Sequence, residues 1–277
     1  MHRPASTAFT ISGMKVALPA RPPVDSTTAI VGLGLTAVTL AAWAGVLAQS
    51  RSGGGAMAGP MSAHVQLGVL IGFVIAWLVM MAAMMLPSAA PLVLLYRVAG
   101  PGARAINTVF LVSGYLLVWA AFGVPVLAVQ QALTAAVSDG SMVGRSLPYA
   151  VAVVLGLAGL YQFTPLKEAC LRQCRSPLDF MMQRWHGGGS FAAMRLGFEH
   201  GAYCVGCCWG LMAVLVVAGS MSLAWVTLIA LLVFVEKVLP FGRRAGQLSG
   251  ALLLLLAVAV VVRPDVAGLL RGTGMGM

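Results

Sequence analysis

Seven apolar segments, at roughly residues 28 to 48, 65 to 95, 106 to 130, 148 to 166, 196 to 218, 222 to 239 and 247 to 263, dominate this chain. A helix needs about 20 residues, at a rise of about 1.5 Å each, to cross the hydrocarbon core of a bilayer. Lipid offers no water to satisfy backbone N–H and C=O groups, so such segments cross as helices. The expected fold is an all-α, polytopic transmembrane helix bundle of about seven helices. Composition agrees, with 60% of the 277 residues hydrophobic and only 9% charged, against about 25% charged in a soluble domain. A cytosolic enzyme is thereby excluded. So are a disordered chain, for its apolar content, and a collagen-like one, because Gly and Pro recur without a period.

The second segment is long for one straight crossing. Pro87 and Pro91 interrupt it, so a kink or half-helix is expected there within a single crossing. Residues 1 to 27 hold Arg3, Lys15, Arg21 and four prolines without an apolar core, and read as a flexible cytoplasmic tail. Residues 28 to 263 form the transmembrane domain, and 264 to 277 a short outer tail. The first helix follows the tail without a small-residue cleavage pattern and reads as a retained anchor.

A net charge of +10 would suggest nucleic acid in a soluble protein. Alternating seven helices from a cytoplasmic N-terminus, however, places thirteen of the seventeen Lys and Arg inside; only Arg51, Arg145, Arg263 and Arg271 fall outside. That asymmetry is the positive-inside rule. The charge therefore sets orientation, no nucleic-acid partner is expected, and the location implied is a bacterial cytoplasmic (inner) membrane. Gly53, Gly54, Gly55 and Gly59 make the outer stretch 51 to 63 a mobile connector. Inside, 167 to 195 reads as a longer polar loop.

Five cysteines, an odd number, lie at 170, 174, 204, 207 and 208. This topology puts Cys170 and Cys174 at the reducing cytoplasmic mouth, where structural disulfides are rare. If the fourth helix continues through Leu166, these two thiols share a face, four residues apart. On the fifth helix, at about 100° per residue, His200, Cys204, Cys207 and Leu211 form one stripe with Cys208 at its edge. Gly197, Gly201, Gly206 and Gly210 around it permit a close helix neighbour. Cysteines acting as small spacers account for the same pattern.

Charge beside the stripe favours chemistry. Glu199 and His200 lie about one turn inside the span, where an ionisable group is costly unless paired, neutralised or bound. Glu236 and Lys237 end the sixth helix, an antiparallel neighbour after a short connection at Gly219, and are expected to meet Glu199 and His200. Together they form either a structural salt bridge or a polar support that orients the His200 ring. Met80, Met81, Met84 and Met85 supply soft thioethers suited, like thiolates, to Cu(I), or ordinary core filling. Thr164 and Pro165 mark a helix break, and snorkelling to the interface accounts for Lys167. His2, His64, His186, Met275 and Met277 carry no pattern of their own.

Three stretches in order, Trp77 through Met80-Met81-Ala-Ala-Met84-Met85-Leu-Pro87 to Pro91, Tyr161 through Lys167 and Cys170 to Cys174, and Gly197 through Cys204, Cys207 and Cys208 to Trp209 with Glu236-Lys237, resemble the DUF2182 family. The likeness covers about residues 65 to 240. It implies a metal-binding integral membrane protein.

The leading expectation is a metal-handling protein of the inner membrane. It binds a soft transition metal, copper with zinc as the alternative, at His200, Cys204, Cys207, Cys208, Met84, Met85, Cys170 and Cys174, supported by Glu199, Glu236 and Lys237. Beyond the lipid bilayer, its partner would be a metalloprotein or membrane complex that it matures. A membrane oxidoreductase acting on a lipid-soluble substrate and a proton-coupled transporter are the alternatives, and whether the chain is an enzyme stays open. No P-loop, dinucleotide fingerprint or HExxH motif occurs in a supporting context.

Overall fold

A computed structural model describes residues 8–11, 14–17, 26–51, 67–99, 104–138, 142–185, 187–218 and 222–270. His2, His64, His186, most of the connector after Arg51 and the last seven residues lie outside them. The ten helices among the described residues are α1 (Ser26–Arg51), α2 (Leu67–Ala99), α3 (Ala105–Ser138), α4 (Met142–Tyr161), α5 (Pro165–Arg175), α6 (Pro177–Gln183), α7 (Ser190–Ala218), α8 (Leu223–Val238), α9 (Gly242–Val262) and α10 (Asp265–Leu270). Near the N-terminus, β1 (Ala8–Ile11) pairs antiparallel with β2 (Met14–Ala17).

The chain is an all-α integral membrane bundle. Among the described residues five helices, α1, α2, α3, α7 and α9, are long and apolar enough to cross a membrane, or up to six spans if α4 and α5 count as one broken span. The segment expected as the sixth crossing is helical as α8, but its 16 residues rise only about 24 Å, short of the roughly 30 Å of hydrocarbon.

Two expectations about helix continuity are corrected. First, α2 runs as one helix through Pro87 and Pro91, so of the kink or half-helix expected there the half-helix does not form. Ser88 Oγ donates to the Met85 carbonyl at 2.8 Å in this stretch. Second, the fourth helix does not continue through Leu166. It stops at Tyr161, and α5 departs at 64°. The physical reason is local: Thr164 is extended (φ −77°, ψ 146°), its hydroxyl accepts the Lys167 N–H at 3.3 Å, and Pro165 follows. A hydroxyl cap before a proline starts a new helix. Replacing Thr164 by Ala is expected to cost about 1 kcal/mol, read as an earlier midpoint in SDS unfolding. A midpoint unchanged from wild type would show that α5 is held by its packing alone.

At Ser176-Pro177 a second helix starts before a proline without a side-chain cap; there Ser176 Oγ donates to the Asp179 carboxylate. Much of the supposed polar loop is therefore two short helices.

Packing centres on α3 against α7. A Cβ on Gly197 would overlap the Leu111 carbonyl oxygen, and one on Gly114 the Met194 carbonyl oxygen; bare backbones touch at this crossing. Trp77 on α2 is fully buried and donates from its indole nitrogen to the Trp119 carbonyl of α3 at 2.8 Å. On α8, Val226, Ile229, Val233, Glu236 and Lys237 are buried. Val226, Ile229, Val233 and Glu236 recur at three and four residues along one face, and Lys237 lies on the adjoining one.

Candidate metal centre

On α7, His200, Cys204, Cys207, Cys208 and Leu211 are all at least 97% buried, so the stripe expected from the 3.6-residue period faces the protein. Ala202 and Trp209, on other faces, are exposed. The apolar pattern of the helix places its thiols in the core because every lipid-facing position can be hydrophobic, while Cys, Gly and His need protein neighbours.

Cys207 meets Cys174 of α5, with their sulfurs 3.9 Å apart. Cys204 is the most connected thiol. Its sulfur takes a hydrogen bond from Lys237 Nζ at 2.8 Å and shares one with the Tyr115 hydroxyl of α3 at 3.0 Å. Its carbonyl accepts from the thiols of Cys207 at 3.2 Å and Cys208 at 2.7 Å. Cys208 thus turns back along its own helix. Cys170, half-buried, lies over Gly206, where an added Cβ would come within 2.8 Å of its sulfur. All five cysteines are free thiols.

His200 stacks at the edge of Phe180 (ring centroids 5.1 Å apart) and against Tyr115 (5.9 Å). Its Nδ1 is buried without a hydrogen-bond partner. Such a group costs about 1 to 3 kcal/mol unless something satisfies it. Met80, Met81, Met84 and Met85 on α2 are no more than 2% exposed and belong to the same core as the three thiols of α7. Among the described residues, no three His, Cys, Asp or Glu side chains converge as a ready-made metal cage. What the structure brings together is a two-thiol contact, a third thiol on an ammonium, an orphaned imidazole nitrogen and thioethers in the surrounding core.

The charged residues depart from expectation. Glu236 does not serve His200; it pairs with Lys167 of α5 at 2.6 Å. Gln162 accepts from the same ammonium, and Ser249 of α9 receives the Gln162 amide at 3.0 Å and approaches Glu236 at 3.4 Å. Lys167 is 3% exposed, so it does not snorkel. Lys237 touches a thiol directly instead of orienting the imidazole. Glu199 is held by Arg184 at 3.4 Å and Arg195 at 3.0 Å, and Arg184 also donates to the Tyr203 hydroxyl. Tyr115, Gln162 and Ser249 escaped the sequence reading. Tyr115 and Ser249 are polar residues in largely apolar stretches of α3 and α9, and Gln162 lies in the turn after α4.

Compared with known families, residues 74–260 match the model of a family described as PpoB2, copper chaperone. That name differs from the one the motifs suggested, and both descriptions concern metal. No curated protein and no solved structure gives a match.

Proposed function

The chain belongs to the PpoB2 copper chaperone family, and from that membership we propose that it carries Cu(I) as cargo where α5, α7 and α8 meet. The observation that carries this reading is the 3.9 Å approach of Cys174 and Cys207. Two sulfurs each about 2.3 Å from a shared ion stand about 3.8 to 4.0 Å apart in tetrahedral or trigonal geometry, taking the zinc–thiolate distance as a guide. Thiolates and thioethers select Cu(I).

Cys204, one turn from Cys207 on α7, and His200, a further turn along, are the next donors, and a metal reaching that far would satisfy the orphaned Nδ1 of His200. Cys208, Cys170, Met84 and Met85 are flanking donors. Charge balance supports the same place. With Cys174 and Cys207 as thiolates and Cys204 a neutral thiol, one Cu(I) brings the sum to −1 and the Lys237 ammonium beside Cys204 brings the total to zero, where an uncompensated buried charge would cost several kcal/mol. Glu236 supports indirectly, by holding Lys167 and so the start of α5; Glu199 fixes the inner end of α7 through two arginines. A site of few donors suits a cargo that must leave again, toward a partner metalloprotein in or beside a bacterial cytoplasmic membrane, with the site in its inner half.

Titrating the detergent-purified protein with Cu(I) against a competing chelator tests this. Cys174→Ser and Cys207→Ser are each expected to weaken binding by more than the roughly 10- to 100-fold lost when only a supporting residue changes. Affinity unchanged in both variants would overturn the assignment.

A further inference from the structure

The break between α4 and α5 opens a cavity of about 370 Å³ toward α9 that the copper reading leaves unused. Its floor is Gln162, Lys167 and Gly246, directly over the buried Lys167–Glu236 pair: a Cβ on Gly246 would stand 3.3 Å from Glu236 Oε1. Its rim carries Arg172 and Arg243, both exposed. Glu236 already balances Lys167. Glu168 engages Arg243 at 3.6 Å, a pair 36% and 68% exposed, and exposed pairs of this kind contribute little. Among the described residues no ion pair involves Arg172. The cavity therefore has amide groups within and, with Glu168 set against Arg243, a surplus positive charge at its mouth on Arg172, which no carboxylate pairs among the described residues.

The surroundings identify the anion. Phe163, which lines the cavity, and Leu166 and Leu248, each next in sequence to lining residues, are 50%, 62% and 66% exposed. Large apolar side chains left bare beside arginines at the end of a membrane helix face acyl chains on one side and headgroups on the other. We infer that this cavity is a binding site for the phosphodiester headgroup of an anionic phospholipid. The phosphate lies between Arg172 and Arg243, the headgroup hydroxyls meet Gln162 and Gln247, and the acyl chains run over Phe163 and Leu248. Basic pockets between transmembrane helices are known places for such headgroups, and Arg suits phosphate through its paired donors. The occupant would hold α5, and with it Cys174, in its bent position.

Short-chain phosphatidylglycerol, phosphatidylcholine and inorganic phosphate, each titrated into the protein in neutral detergent and followed by native mass spectrometry and thermal unfolding, test the site. Phosphatidylglycerol is expected to be retained about tenfold better than phosphatidylcholine, and the double change Arg172→Gln, Arg243→Gln to remove that preference. Both side chains are exposed, so the fold is not at risk. The change Arg51→Gln, at the end of α1, is expected to leave the preference intact. Equal retention of the two lipids, or a preference that survives in the double variant, overturns the inference. Inorganic phosphate displacing the lipid completely and stabilising the protein as well would assign the cavity to a free anion and overturn the lipid assignment. None of these readouts involves copper.

Discussion

Gly197→Ala is expected to separate α3 from α7 and lower stability by about 3 kcal/mol, the upper end of what overpacking usually costs. The obstacle is backbone on both sides. The added methyl would overlap the Leu111 carbonyl oxygen, and the reciprocal approach of Gly114 to the Met194 carbonyl leaves no side chain to swing away. Relief requires moving one helix along its length. Tyr115 rides on α3 and Cys204 on α7, so their 3.0 Å contact would be lost with the crossing, and Cu(I) affinity should fall as well. Gly210→Ala is the control, because its nearest neighbours would stand 3.5 Å away, an ordinary van der Waals distance. SDS unfolding of the two variants side by side settles the matter: a Gly197 variant as mild as the Gly210 one would mean that the crossing tolerates a methyl group.

Removing Glu236 should cost more. Glu236→Ala leaves the Lys167 ammonium 97% buried with only the Gln162 carbonyl oxygen and no counter-charge, and stranding one partner of a buried ion pair typically costs about 3 to 5 kcal/mol. The pair need not contribute that much itself. Replacing both residues with apolar ones of similar size, Lys167→Met with Glu236→Leu, is expected to recover most of the loss, because two desolvation penalties vanish together. If Glu236→Ala shifts the unfolding midpoint by no more than the 1 kcal/mol of a surface pair, Lys167 reaches water in the folded protein and the buried network is not as drawn.

These two residues also show how far residue patterns carry. The stripe of His200, Cys204 and Cys207 was legible because helical periodicity converts spacing into a face, and the face proved buried. Cys170 and Cys174 were legible as a pair for the same reason. Their meeting with α7 was not, since it depends on a 64° turn whose local cause, a capped threonine before a proline, says that the chain bends but not toward what. Pro87 went the other way: proline chemistry argued for a kink or a half-helix, while α2 is one continuous helix through it. Glu236 and Lys237 are adjacent in sequence but point to different partners, because one residue along a helix turns a side chain by about 100°.

That the chain is helical, belongs in lipid and keeps its soft and ionisable side chains on protected faces follows from local rules: backbone satisfaction in hydrocarbon, the cost of charge there, and the period of a helix. Those rules act within one helix at a time. Which helix meets which, and therefore that Cys174 touches Cys207, that Lys237 serves Cys204 and that Glu236 belongs to Lys167, is decided by close packing between segments far apart in the chain. Contacts of that kind turn on the absence of a methyl group at Gly114, Gly197 or Gly206, and such an absence has meaning only once the opposing backbone is in place.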